Sequence, residues 1–135
     1  MADELLLEIV TPEEMVFSDE VEDVYVPGVE GAFGVLVGHA PLLSAVKPGE
    51  LHFRREGKET SYAVGEGYAE VTGKRATVLV EICDRADRID TAAVHRQKET
   101  AEAKLAKLDK DDSGYGKVMA EIEMAEIRLK VAEKA

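Results

Sequence analysis

The stretch RATVLVEICDRADRIDTAAVHRQKETAEAKL, Arg75 to Leu105, decides how the rest of the chain is read. In its first part Ala76, Val78, Val80 and Ile82 share one side of an extended segment, the period of two that sends a strand face into a core. After Asp87 the spacing lengthens. Val94, Lys98, Ala101, Leu105 and Leu108 fall four, three, four and three residues apart, which is the seam of a helix laid against another helix. Asp87 and Asp90, at the changeover, are both suited to cap that helix. A β region and an α region therefore meet near residue 88.

Upstream, the chain turns at short intervals and the segments between turns are rich in Val, Leu, Tyr and Phe. Candidate strands run Leu5–Val10, Met15–Ser18, Glu22–Pro27, Ala32–Val37, Leu42–Val46, Glu50–Arg55, Glu59–Val64, Tyr68–Thr72 and Arg75–Ile82. Val24 and Val26 are expected on one face of their strand, with Asp23 and Tyr25 on the other. Short antiparallel strands joined by tight turns predict a sandwich or flattened barrel. Downstream, Val118, Ile122, Ala125, Leu129 and Ala132 repeat the helical seam, and DKDDSGYG (Asp109 to Gly116) separates the two helices. Its glycines stop one helix, and Asp112-Ser113 is expected to cap the next. So short a connection forces the helices antiparallel. The predicted organisation is a β-sandwich domain over residues 1–87 and an antiparallel helical hairpin over 88–135.

The hairpin seam is built largely from alanine, with Lys98 in it, and each missing buried methylene forgoes ~0.8 kcal/mol. Docked and released forms are therefore expected to lie close in free energy. Straightened into one helix from Thr91, the segment would reach about 65 Å at ~1.5 Å per residue.

Composition narrows function. The net charge is −11 across 135 residues, which argues against nucleic acid, where affinity comes from clustered Lys and Arg. Through Ile89 there are 18 acidic and 8 basic side chains, and from Asp90 onward 10 and 9; the acid belongs to the sandwich. The lone Cys83 forms no internal disulfide, the opening MADELLLEIV has no secretory pattern, and no apolar run is long enough to span a bilayer. A reducing, cytosolic setting is expected, with any membrane association made through a partner.

Chemistry is thinly represented. His39, His52 and His95 show no i, i+4 pairing and no HExxH pattern, Cys83 has no CxxC partner, and no serine lies in a GxSxG elbow. No metal site and no catalytic residue are expected; the alternative weighed is a small hydrolase using His39 with Glu30 or Glu66. Gly28, Gly31 and Gly34 precede a strand and not a helix, so a phosphate loop is rejected. They read as positions of positive φ and as a surface open to close approach. Pro41 keeps His39-Ala40 extended.

PGVEGAFGVLVGHAPLLSAVKPGEL (Pro27 to Leu51), the AVGEGYAEVTGKRATVLVE run (Ala63 to Glu81) and the Ala/Glu/Lys hairpin together closely resemble the epsilon subunit of F-type rotary ATP synthases, the counterpart of mitochondrial delta. The resemblance covers essentially the whole chain. It implies a flattened ten-stranded β-sandwich plus hairpin, in a non-catalytic central-stalk subunit that couples the gamma subunit to the c ring. The hairpin is implied either to fold on the sandwich or to extend toward alpha and beta subunits and restrain ATP hydrolysis. By the same resemblance, His39, Pro41, Leu42 and Leu43 are expected at the gamma interface, and Glu30, Gly31 and Phe33 at the c ring. Some members carry an acidic residue at the position of Ala32; here Glu30 is expected to take that part. The implied location is peripheral, on the cytoplasmic face of the bacterial inner membrane.

Some members bind ATP through an I/L-D-x-x-R-A motif. The matching stretch is Ile89-Asp90-Thr91-Ala92-Ala93-Val94, with Ala93 in place of the arginine, so a bidentate phosphate donor is lost. Ile89, Asp90, Arg96 and Arg128 are the candidates left for regulatory ATP. No cofactor is expected to be required, and an ATP-sensing module stands as the alternative reading.

Overall fold

A computed structural model of the chain describes residues 4–135. Ten strands come first: β1 (Leu5–Val10), β2 (Met15–Val21), β3 (Asp23–Gly28), β4 (Gly31–Val35), β5 (Leu42–Val46), β6 (Gly49–Arg55), β7 (Lys58–Val64), β8 (Gly67–Thr72), β9 (Arg75–Val80) and β10 (Cys83–Arg85). A single 3-10 turn at Ala86–Arg88 leads into α1 (Thr91–Leu105) and α2 (Tyr115–Ala132).

Strand order is β10-β7-β6-β3-β5-β8-β9-β1-β2, with β4 paired to β3 off this path. Within β3 the pairing changes: Asp23, Val24 and Tyr25 face Arg54, Phe53 and His52 of β6, whereas Gly28 faces Val46 of β5. A strand that serves two neighbours along its length turns the sheet over on itself, and two layers close on one core. Alternation supplies that core: Leu5, Leu7 and Ile9 of β1, Val24 and Val26 of β3, and Ala76, Val78 and Val80 of β9 are all buried. Tyr25 points outward, as alternation predicts. The β6–β7 connection is the two-residue turn Glu56-Gly57, both at positive φ (54° and 75°), the type I′ geometry whose twist matches the flanking strands. Gly67 has a different role, because a Cβ there would collide with the Leu79 carbonyl oxygen.

Three strand expectations need correction. β1 runs parallel to β9, from Leu6 opposite Arg75 to Val10 opposite Leu79. Short turns imply antiparallel neighbours, but no short turn joins strands so far apart in sequence. The strand expected over Ala32–Val37 ends at Val35, because the chain bends into the turn where Gly38 (φ 86°) donates its N–H to the Gly73 carbonyl. The strand expected over Arg75–Ile82 breaks after Val80. There Glu81 N–H still bonds to Glu66 O at 3.1 Å, but Ile82 O accepts from Gly65 N–H at 2.9 Å, and the chain moves on to pair with β7 as β10. Ile82 thus leaves the sandwich core and packs against the helices.

The helices pack antiparallel through Val94, Ala101, Val118 and Ala125, all buried. Lys98, the polar member of the seam, places Nζ 3.5 Å from Glu126 Oε2 of α2. Of the two cap candidates Asp90 serves: its Oδ1 accepts the Ala93 N–H at 3.1 Å. Asp87 instead pairs with Arg85. The expected Asp112-Ser113 cap is not formed, because α2 begins one residue too late for it. Gly114 occupies the cap position, and Asp112 Oδ1 takes the Gly114 N–H at 2.9 Å in the preceding turn.

Periodicity alone missed the second apolar side of α2. Met124, Ile127 and Val131, at i, i+3 and i+7, settle onto Ala63, Ile82, Ala86 and Ile89 and fix the hairpin to the sandwich. Arg128 Nε donates to Asp84 Oδ2 at 2.8 Å beside them, and Lys134 Nζ lies 3.9 Å from Glu50 Oε1. The hairpin is docked, and α2 provides the adhesive face.

Candidate functional site

The fold separates the expected contact residues into two neighbouring places. Val29 and Glu30 form the two-residue turn of the β3–β4 hairpin, between the paired Gly28 and Gly31. Glu30 is exposed at this tip. Gly31 has φ 126°, and among the three glycines of this segment it alone adopts the expected positive φ. Gly28 and Gly34 serve rings of the chain itself: a Cβ would come within 2.9 Å of Phe33 Cε1 at Gly28 and 2.6 Å of Tyr25 Cε2 at Gly34. Phe33 is therefore folded over Gly28 and half-buried, while the tip offers Glu30 and backbone.

His39 lies on the corner after β4, half-buried, with Nδ1 2.7 Å from the Ala40 carbonyl oxygen and its N–H bonded to Leu36 O at 3.1 Å. The ring nitrogen meets a backbone carbonyl and not a carboxylate, which is the arrangement of a shape-holding residue. Pro41 is exposed and Leu42 packs against the sandwich core. Leu43 points outward and is 70% exposed.

Leu43 is the start of something sequence reasoning overlooked. It shares the outer side of β5 with Ala45, which faces Tyr68 of β8, and Tyr68 in turn faces Leu79 of β9. Tyr68 is 61% and Leu79 51% exposed. Ala45, Tyr68 and Leu79, together with Val10 and with Val29, whose N–H bonds to Ala45 O at 2.9 Å, line an open groove of about 660 Å³ on the outside of the sheet. Large apolar side chains gathered on an outer sheet face mark an interaction surface. Their signal was present in the sequence as the second face of the alternation, the one a half-buried strand is expected to make polar. Glu66 and Glu81 border the groove.

The four residues considered for ATP receive separate positions. Ile89 is part of the apolar patch beneath α2, Asp90 caps α1, and Arg128 is bonded to Asp84. Arg96 lines a shallow depression of about 370 Å³ with Ala93, Lys104 and Glu121. Arg128 lines the adjoining one, and Gln97 and Glu121 border both.

Electrostatics at the junction favour unreactive groups. Burial, with the Asp84 carboxylate adding to it, pushes the Cys83 thiol up to about 12, so it stays protonated near neutrality. Arg85 Nε donates to Asp87 Oδ1 at 2.6 Å and holds that carboxyl below its usual range. Tyr62 is raised, first by burial. No helix of the described residues is long and apolar enough to cross a membrane.

Known proteins match this arrangement. Residues 4–86 match the family model for the ATP synthase Delta/Epsilon chain, beta-sandwich domain. The ATP synthase epsilon chain of Geotalea uraniireducens is 43% identical over 135 residues, spanning 100% of this chain and 98% of that one; its Geobacter sulfurreducens relative is 42% identical over the same spans. The fold is similar to a chain in the mitochondrial ATP synthase of Euglena gracilis (OSCP/F1/c-ring), with TM-score 0.71, 24% identity and coverage of 98% of this chain and 79% of that chain. It is also similar to a chain in the central stalk and c-ring structure of the Tetrahymena thermophila enzyme, at TM-score 0.60, 11% identity and coverage of 95% and 96%. With a sandwich matched over most of its length and relatives aligned through both helices, the chain belongs to the ATP synthase epsilon-chain family.

Proposed function

We propose that this chain is a non-catalytic central-stalk subunit that couples gamma to the c ring, and that its hairpin restrains ATP hydrolysis when released. The observation that carries the reading is the apolar groove of Ala45, Tyr68 and Leu79, with the exposed Leu43 on the same outer side of β5, which lies apart from the β6–β7 side where α2 docks. A partner on the groove and a hairpin free to move satisfy two separate requirements of such a subunit. Gamma occupies the groove and the corner of His39, Pro41, Leu42 and Leu43, whereas the Glu30-Gly31 tip, backed by Phe33, meets the ring. Its place is peripheral, on the cytoplasmic face of the bacterial inner membrane. In the extended form the hairpin reaches alpha and beta subunits.

Regulatory nucleotide is not required in this proposal. Ala93 offers no phosphate donor, and Arg128 is engaged by Asp84 at 2.8 Å. Calorimetric titration of the chain with magnesium ATP is expected to give no binding heat; saturable heat would establish the sensing alternative. The main test is removal of everything after Asp87 in the assembled enzyme. Gamma binding is expected to survive while ATPase activity rises. Unchanged hydrolysis overturns the restraining role and leaves coupling standing, whereas lost gamma binding places the interface on the hairpin.

A further inference from the structure

Away from the groove and the Glu30 tip, β6 and β7 bring together a set of ligand-type side chains of which only Glu50 has a partner named above, Lys134. Glu50 and His52 are two apart on β6 and share a face; Ser61, opposite His52 on β7, shares that face with Glu59. One ligand atom from each of Glu50, His52 and Glu59 lies within 4.8 Å of the other two. His52 Nδ1 is buried and has no hydrogen-bond partner among the described residues. A buried ring nitrogen without a partner is costly, and here it faces the Glu50 carboxylate. Its distance to Glu50 Oε2 is 3.6 Å, too long for a hydrogen bond. Two ligands held about 2.1 Å from a tetrahedral zinc ion are about 3.4 Å apart, so the separation suits a shared cation.

The surroundings also fix the ligands. Ser61 Oγ donates to Glu50 Oε2 at 2.9 Å and orients that carboxylate, as outer partners of metal ligands do. The His52 ring is stacked on Tyr25 with centroids 4.8 Å apart. Imidazole and carboxylate donors on two paired strands favour a borderline cation over magnesium or calcium, which take oxygen ligands alone. The other Glu50 oxygen, Oε1, has Lys134 Nζ at 3.9 Å. That ammonium is a competitor for the same carboxylate.

We propose that Glu50, His52 and Glu59 form a three-ligand site for a divalent transition cation of the zinc type, with water completing the tetrahedron. The test uses the full chain titrated calorimetrically with zinc chloride, with cobalt absorption as a second readout of tetrahedral coordination. One ion per chain is expected. His52→Gln is expected to weaken binding by about tenfold or more; Glu59→Gln, at an exposed position that leaves the pairing of β6 and β7 intact, is expected to weaken it in the same direction. Lys134→Ala is expected to tighten it by up to about fivefold, the scale of one exposed ion pair, and His95→Gln to leave it unchanged. Absence of saturable zinc binding overturns the proposal, as does binding that survives both ligand variants or that is lost with His95→Gln.

Discussion

Sandwich and hairpin are built to different standards, and the contrast explains how one short chain carries both a fixed and a movable part. Among the described residues, seventeen buried side chains form one continuous core between the sheet layers, whereas the patch beneath α2 has four, Ala63, Ala86, Met124 and Val131. At about 1.5–3 kcal/mol per large buried apolar side chain, Met124 and Val131, with a smaller part from the half-buried Ile82, Ile89 and Ile127, supply a docking energy of several kcal/mol before ordering costs. The sandwich has many times that. A ligand or partner offering a few kcal/mol of differential contact can therefore shift the hairpin while the sheet stays whole.

The severest test of this contrast is Leu51→Ala, which opens a cavity at a fully buried core position. It is expected to cost about 2–5 kcal/mol and to lower the denaturation midpoint of sheet and hairpin together. Met124→Ala is the counterpart on the other side. An expected loss of about 2 kcal/mol should appear in hydrogen exchange of the helices and not of β1, β8 or β9; equal loss across the sheet would mean that the two parts unfold as one. Arg128→Ala removes the bond to Asp84, and since both side chains are partly exposed, about 0.2–1 kcal/mol is expected, again confined to hairpin exchange.

The subtlest test uses Cys83, which packs against the sandwich core although it adjoins the junction. Its folded-state value is raised to about 12 from an ordinary 9.0. A raised acid favours the folded state below its ordinary value, so this contribution is complete below about pH 9 and declines as pH rises toward 12. Native alkylation at pH 8 is expected to be far slower than in denaturant, and truncation after Asp87 should leave that protection in place. Fast alkylation of the truncated chain would show that the thiol is covered by the hairpin instead.

How much of this was legible depends on whether a signal is local. Alternation in β1, β3, β8 and β9 names the core residues, because a strand buried on one side has one way to face. The helical seam likewise places Val94, Ala101, Val118 and Ala125. The parallel pairing of β1 with β9 and the crossing of Glu81-Ile82 from β8 to β7 are partner choices between distant segments, and period carries no record of them. Met124, Ile127 and Val131 escaped notice because they lie on a second side of a helix whose first side already explained it. Outward Tyr68 and Leu79 escaped for the same reason. The Glu50, His52 and Glu59 group is invisible to spacing rules, since its members come from two strands in register.

Of the two helices, only α2 rests substantially on the slab, while α1 is held by α2. The attachment order is thus the reverse of the chain order. A pull on the C-terminal end meets the adhesive helix first, and once it peels away α1 has lost its main support, so detachment should proceed as a single click and not as a two-stage unzipping.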